Sequence, residues 1–439
     1  MQQKVNVRRI ALDLLNKCES EKSFSNIVID TAIRRNGLTG SDRALLTALF
    51  YGVIEKKLTL DHIIDQLSSI PKSKIEKDTK NLLRLGIYQL GFMDKIPPHA
   101  AVNETVSLAK ARSRSFVNAL LRRFTREKEN ISLPSPNGDT LKYLSVRYSV
   151  GEALCARLLD AYGREECESL LAALSAAPPI TLRANTLKIT RDDLISSLLS
   201  QFPSARPTEN APHGVIIDEG AISELSPLSL GLCTVQDEAS QLCVAALGAK
   251  AGELIVDVCA CPGSKSFGAA IDMENKGSLL SFDIHENKLS LVRDGAERLG
   301  ITVISTEAHD AREPIDSLLE RADRVICDVP CSGFGVIAKK PELRYKDPSE
   351  SERLPDIQLS ILQSASKYLK RGGVLVYSTC TLLPEENGAV VERFLSENPD
   401  FSLVPFSIGA IDAPCGSITL MPHKHGTDGF FIAKLTRNN

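Results

Sequence analysis

From Thr234 onward, short apolar runs that end in aspartate alternate with helical patterns, and this rhythm leaves few folds open. A helix through Ala239–Leu247 precedes a strand over Leu254–Asp257. The strand Gly277–Phe282 ends at Asp283 and leads into a helix through Lys288–Leu299. Strands at Ile301–Ile304, Arg324–Asp328 and Gly373–Tyr377, helices at Asp356–Leu369 and Glu385–Glu397, and a hairpin ending Phe430–Leu435 complete the series. Strands alternating with helices of about 10 to 15 residues pack as a mostly parallel, doubly wound Rossmann-like sheet. Ligands of such sheets lie off the carboxyl ends of the strands. Asp257, Asp283, Asp310 and Asp328 all fall at or just after strand ends and so share that edge.

The 439 residues exceed one ordinary core, and the front of the chain has a different period. Val7, Ile10, Ala11, Leu14 and Leu15 recur at helical spacing, as do Leu82, Leu83, Leu85, Ile87, Tyr88 and Leu90. Residues 1–130 are therefore expected to form an all-α domain. They carry 23 Lys and Arg against 14 Asp and Glu, whereas the remainder is acidic. A basic front beside an acidic rear suits docking on a polyanion, although a solvated helical surface has the same balance. After a linker at Pro134–Gly138, residues 139–230 mix short strands and helices as a small α/β module, and 231–439 form the main α/β domain. The start, Met1–Lys4, lacks a signal-type apolar stretch, and no apolar run reaches about 18 residues. A cytoplasmic protein without membrane association is expected.

Asp257-Val-Cys259-Ala260-Cys261-Pro262-Gly263-Ser264-Lys265-Ser266 is the first strand-end loop. It is neither a Gly-x-Gly-x-x-Gly fingerprint nor a P-loop. With no cradle for a triphosphate, the expected ligand is a nucleoside with little phosphate charge, such as S-adenosylmethionine. Asp283, 26 residues beyond Asp257, can accept hydrogen bonds from ribose hydroxyls, and Asp310 can meet an adenine edge. Eleven cysteines do not make a disulfide scaffold; Cys155, Cys167, Cys233 and Cys243 sit in apolar patterns as small hydrophobes. Cys259 and Cys261 lack a neighbouring Cys/His group, so no metal is expected.

Two further cysteines stand in loops that follow buried strands: Asp328-Val-Pro-Cys331-Ser-Gly333 and Ser378-Thr-Cys380-Thr381. Two thiols beside a nucleoside loop point to covalent catalysis. These motifs resemble those of the RNA cytosine-5 methyltransferases, and the full chain is similar to the bacterial small-subunit ribosomal RNA methyltransferase B group, in which an antitermination-factor-like helical domain comes first. The family's cofactor loop matches 257–266 with departures at Cys261, Ser264 and Ser266; a usual glycine is His309; and an Arg-Arg-Asn-Pro-Asp element is altered to Lys339-Lys340-Pro341-Glu342. Gln236–Gln241, Pro384–Asn387, Asp428–Phe431, Val102–Glu104 and Phe116–Arg122 also look like family motifs.

The resemblance implies S-adenosylmethionine as methyl donor, held by 259–265 with Asp283, Asp310 and Asp328. It implies a target cytosine in 16S ribosomal RNA, position 967 in the usual ribosomal RNA numbering, met as substrate before the small subunit is fully assembled. It makes Cys380 the nucleophile, Cys331 the residue that assists product release, and Asp328 the group at the N3 edge; local chemistry alone leaves the two thiols interchangeable. Arg112, Arg114, Arg122, Arg123 and Arg126 are the expected docking surface, with Asn185 and Lys188 as further RNA contacts, and a monomer is expected. The alternatives are the same reaction on transfer RNA, a non-catalytic RNA-binding assembly factor, and a redox or metal-binding protein. The last needs clustered Cys/His ligands that the sequence lacks.

Overall fold

The structure is a computed structural model that describes residues 6–21, 25–218, 220, 222 and 225–439; Met1–Lys4 lies outside them. The chain divides into two compact units, one of residues 1–175 with 337–348, the other of residues 176–336 with 349–439.

The first unit holds the helices α1 (Val7–Glu21), α2 (Ser25–Asn36), α3 (Gly40–Glu55), α4 (Lys57–Leu67), α5 (Lys77–Phe92), α6 (Pro98–Leu108), α7 (Arg114–Glu127), α8 (Thr140–Tyr148), α9 (Glu152–Tyr162) and α10 (Arg164–Ala173). The helical spacing read from the sequence is the packing face. Val117, Leu120, Leu121 and Phe124 of α7 are buried with Leu83 and Ile87 of α5 and Leu49 and Phe50 of α3. Residues 140–173, placed by the sequence in the mixed module, group here with the front helices.

Arg84 is 2% exposed inside this bundle and bonds Asp61 through Nε and Nη2, both at 2.7 Å. Its Nη1 donates to Asn81 Oδ1 at 2.7 Å. Arg84→Met leaves the Asp61 carboxylate without that fork. The variant is expected to lose about 3–5 kcal/mol of stability, measured as a lower urea midpoint at unchanged slope.

Residues 337–348 leave the second unit after Val336 and lodge among the helices. Arg344 is buried, its guanidinium donating to the carbonyls of Tyr148 (3.2 Å) and Leu174, and its own carbonyl accepts from Gly151 N at 2.8 Å. Tyr345 donates to Ile54 O at 2.5 Å. Glu342, one of the departures from the family element, accepts from Ser25 Oγ at 2.7 Å.

The second unit begins with β1 (Ile180–Ala184), α11 (Arg191–Leu198), β2 (Arg206–Pro207), β3 (Gly214–Ile217), α12 (Ser226–Ser229) and β4 (Cys233–Val235). Its strands pair antiparallel in the order β2-β3-β1-β4. Then follow α13 (Glu238–Leu247), β5 (Leu254–Asp257), α14 (Ser264–Asp272), β6 (Ser278–Asp283), α15 (Glu286–Leu299), β7 (Ile304–Ala308), β8 (Ala322–Asp328), α16 (Leu354–Ser366), β9 (Leu369–Thr379), α17 (Gly388–Glu397), β10 (Phe401–Leu403), β11 (Phe406–Ile408), β12 (Ile411–Ala413), β13 (Ser417–Leu420), α18 (Pro422–His425) and β14 (Phe430–Arg437). The large sheet runs β10-β14-β9-β8-β5-β6-β7, with β13 also on β14. Strands β5 to β9 are parallel, and β14 closes against β9 antiparallel.

One strand differs from the sequence reading. Ile301 does not open a strand; it follows Gly300 (φ +77°) and its N–H returns to Ala296 O at 2.8 Å, so its apolar side chain packs on the end of α15. The strand is β7, whose outer-edge residues are largely exposed and therefore carry little apolar signal. The helix read from Glu385 begins at Gly388, after a 3₁₀ turn over Pro384–Glu386. Among the described residues no helix is long and apolar enough to cross a membrane.

Candidate active site

The parallel order β8-β5-β6-β7 brings Asp328, Asp257 and Asp283 to adjacent strand ends, with Asp310 just beyond β7. Asp257 is not free to face a ligand. It is buried, accepts from Ser266 Oγ at 2.6 Å and receives Cys259 N at 3.4 Å, so it ties the loop back to its strand. Ser266, a departure from the family's threonine, also meets Ser281 Oγ at 2.9 Å.

Burial pushes the Asp257 carboxyl up to about 7, against the pull of Ser266. An acid raised in the fold binds its proton more tightly there than in the unfolded chain. Stability therefore falls as pH rises from about 4 to about 7, by up to ~4 kcal/mol. In Asp257→Asn that component is absent, so urea unfolding at pH 5 and pH 8 is expected to differ less than in the wild type.

The loop itself turns tightly. Cys261–Pro262 is a cis peptide, and Gly263 takes φ +111° directly under the Phe267 ring, where a Cβ would come within 2.4 Å. Cys261 N donates to Asp283 Oδ2 at 3.3 Å and His285 N to Oδ1 at 2.9 Å, which fixes a half-exposed carboxylate at the cleft. Asp310 is gripped by Arg312, whose Nη2 lies 2.5 Å away, and this contact takes its carboxyl down to about 2. His309 bonds Glu313 O at 2.6 Å and lays its ring edge to Phe282, 5.7 Å between centroids, which accounts for the residue in place of the family's glycine. Of the side chains at this edge, Asp283 is a half-exposed carboxylate, Asp310 is paired with Arg312, and Lys265 is paired with Asp328. Such an acceptor set suits hydroxyl and amino groups and offers little to phosphate. It fits S-adenosylmethionine.

On the other side of β5 the charge arrangement is tighter. Lys265, at the first turn of α14, is buried and donates to Asp328 Oδ2 at 2.6 Å, with its ammonium 5.1 Å from the centre of the Phe430 ring. Ser378, the register partner of Asp328 across β8 and β9, donates to Asp328 Oδ1 at 2.7 Å. Burial opposes the Lys265 charge, but the field of Asp328 outweighs it and the ammonium is held more firmly than usual.

Cys331 and Cys380 converge, their sulfurs 3.0 Å apart. Cys380 N donates to Cys331 Sγ at 3.2 Å. The hydrogen bond to Cys380 and then burial push the Cys331 thiol well above its ordinary range. Cys259 is also pushed well up by burial, and Cys261 to about 12 by burial and Asp283, which makes both poor nucleophiles.

The loops that carry the two thiols are bound to one buried acid that the sequence reading left without a role. Glu386 accepts from Ser332 N and from Gln358 Nε2, both at 2.9 Å, and Gln358 Nε2 also reaches Pro330 O at 3.0 Å. Ser332 and Thr381 share a hydroxyl contact at 2.7 Å, and Tyr377 OH donates to Glu386 O at 2.7 Å. Gln358 had a sequence signal: it is a polar residue on the apolar face of α16, beside Leu359 and Leu362. Gly335 and Gly429 meet backbone to backbone, where a Cβ on Gly335 would lie 1.8 Å from Gly429 O.

Other candidates turn out to be structural. Asn185 is fully buried and donates to Gly231 O (2.9 Å) and Leu299 O (2.8 Å), and Lys188 Nζ bonds Arg298 O at 3.1 Å. Asn185 is not available to RNA as expected, because it satisfies buried carbonyls at a chain turn and a helix end, whereas Lys188 is exposed. In the Gln236–Gln241 motif, Asp237 caps α13 through Ala239 N, and Glu238 takes the N–H groups of Asn210 and Ala211.

A doubly wound sheet with acid-tipped strand ends fits a methyltransferase that uses S-adenosylmethionine, and the relatives of the chain establish that class. Residues 244–436 match the family model described as 16S rRNA methyltransferase RsmB/F, residues 5–126 the NusB family, and residues 152–222 an RsmF/B-like ferredoxin-like domain. A probable ribosomal RNA small subunit methyltransferase B of Bacillus subtilis is 37% identical over 99% of both chains, and the ribosomal RNA small subunit methyltransferase B of Pectobacterium atrosepticum is 33% identical over 100% of both. The crystal structure of PH0851 is 26% identical, covers 99% of both chains and gives a TM-score of 0.80. A methyltransferase homologue from Pyrococcus horikoshii, 29% identical, gives 0.60 over 68% of this chain and 99% of its own. The chain belongs to the RsmB/F family of 16S ribosomal RNA methyltransferases.

Proposed function

We propose that this chain methylates carbon 5 of one defined cytosine in 16S ribosomal RNA, with Cys380 as the nucleophile and Cys331 as the residue that frees the product. The contact that carries this reading is the pair of sulfurs at 3.0 Å beside the Lys265–Asp328 ion pair. Carbon 5 of cytosine is a weak nucleophile while the ring is aromatic. The Cys380 thiolate forms a bond to carbon 6, and the displaced electron pair moves through carbon 5 toward N3. In this reading Asp328 faces the N3 edge, where its carboxylate stabilises the proton that N3 takes from water. S-adenosylmethionine supplies a methyl group on a sulfonium. Carbon 5 gives its electron pair to that methyl, whose bond to the sulfonium breaks with its pair left on the sulfur. The carbon 5 proton then passes to water, N3 gives up its proton, and the pair returning to the ring breaks the bond to Cys380. Cys331, which holds its proton, protonates the departing thiolate.

Residues 231–439 carry out this chemistry, 139–230 support it, and 1–130 dock the RNA. The target base leaves its stack to reach the thiols, which favours RNA not yet packed into a finished subunit. The protein acts as a cytoplasmic monomer.

The test incubates the protein and labelled S-adenosylmethionine with unmodified 16S RNA, assembled small subunits and transfer RNA, followed by bisulfite mapping. One methylated cytosine in free 16S RNA is expected. Transfer to transfer RNA alone moves the substrate, and no transfer despite bound cofactor leaves an RNA-binding assembly factor.

A further inference from the structure

The helical unit contains a second cleft whose chemistry the methyl-transfer site does not use. It is a cavity of about 500 Å³ lined by Lys56, Lys128 and Arg147, with Phe92 and Tyr148 on its walls and no carboxylate in its lining. Lys56 sits between α3 and α4 and is half-buried. Burial, then Arg344 and Arg147, hold its ammonium below its usual range, while the half-buried Glu55 partly offsets them. Cations gathered in this way repel one another until an anion joins them. Phe92 ends α5 and is 41% exposed, its ring stacked on Tyr88 with centroids 5.6 Å apart and planes within 13°. An exposed ring braced from behind is a surface on which a base can stack. The volume is that of a small-ligand site.

Three of the arginines of the 112–126 region have partners of their own. Arg112 pairs with Glu76 at 2.7 Å, Arg123 bonds Glu127 and Leu67 O, and Arg122 bonds Asn118.

We infer that this cleft takes one unpaired nucleotide of an RNA chain, its phosphate between Lys56, Lys128 and Arg147 and its base against Phe92. The inference rests on the reading of the chain as an RNA methyltransferase and names where the helical unit holds the RNA. The cleft is distinct from the thiol site and carries no chemistry of its own.

The experiment uses the full chain and a fluorescein-labelled oligouridylate of about 12 nucleotides, titrated at several salt concentrations. Phe92→Ala is expected to weaken binding about 5- to 100-fold. Lys56→Gln and Arg147→Gln are each expected to weaken it several-fold and to reduce the slope of log affinity against log salt by about 0.7. Lys276→Gln, which breaks a surface pair with Glu274 in the other unit, should bind as the wild type does. Wild-type binding by both Phe92→Ala and Lys56→Gln would overturn the inference.

Because Lys56 is half-buried, unaltered protein is also cross-linked to the same oligonucleotide carrying 5-iodouridine. Attachment at Phe92, Phe124 or Tyr148 supports the cleft, and attachment only within 112–123 refutes it. Methyl transfer to 16S RNA is measured in parallel on the wild type. Active wild type with unaffected cleft variants removes the cleft alone, whereas inactive wild type with impaired cleft variants removes the methyltransferase reading alone.

Discussion

Cys380→Ala is expected to abolish methyl transfer, by at least about a thousandfold, and to form no covalent complex with RNA. Cys331→Ala is expected to fail differently. Its Cys380 can still add to carbon 6, since the thiolate is near the Lys265 ammonium, whose charge Cys380 helps to hold. What is lost is the second thiol, 3.0 Å from Cys380, that the proposed reaction uses to protonate the departing sulfur. Turnover should drop about 10²–10⁴-fold while a protein–RNA adduct builds up. The measurement is a denaturing gel of each variant with labelled 16S RNA and S-adenosylmethionine. A slow band in Cys331→Ala and none in Cys380→Ala supports the assignment, and the opposite pattern exchanges the two roles. The double variant separates the cases further, because without Cys380 no adduct can form whatever stands at 331.

Asp328→Ala is expected to cost about 3–5 kcal/mol of stability as well as activity. The Lys265 side chain is 9% exposed and its ammonium has Asp328 at 2.6 Å as its carboxylate partner. Removing that partner leaves the buried cation without its carboxylate, the Phe430 ring 5.1 Å from it, and Ser378 loses its acceptor at the same time. Lys265→Met in the same chain removes the stranded charge, so the double variant should regain most of the urea midpoint. It should not regain methyl transfer if Asp328 serves the N3 edge. Recovery of both stability and activity would reduce Asp328 to a structural counter-ion.

Much of the site was legible because its residues lie in short local patterns. A strand's apolar run and the aspartate that ends it are adjacent in sequence, so Asp257, Asp283 and Asp328 could be placed before any contact was known. The thiols were equally visible, each within three residues of the end of a buried strand. Their partners were not. Glu386 binds Ser332 and Gln358 from residues 54 and 28 positions away, and no periodicity encodes such a pairing. Asn185 failed for the same reason: a polar residue after a short strand reads as accessible until Gly231 and Leu299 supply the carbonyls that bury it. Strand β7 was displaced because an edge strand with exposed faces has little apolar signature, while Ile301 borrowed one from the end of α15.

The sequence by itself determined the layers, the acid-tipped strand ends and the presence of two strand-end thiols, since each depends on neighbours within a few residues. Only the tertiary structure decided that Asp257 is a buried brace and Asp328 a charged partner, although both end a strand in the same way. The strand order β9-β8-β5-β6 sets Asp328 against Ser378 and under Lys265, while Asp257 is enclosed by Ser266 and Cys259. Desolvation and pairing act through space, and the order in which strands are laid side by side is what turns identical carboxylates into different chemical groups.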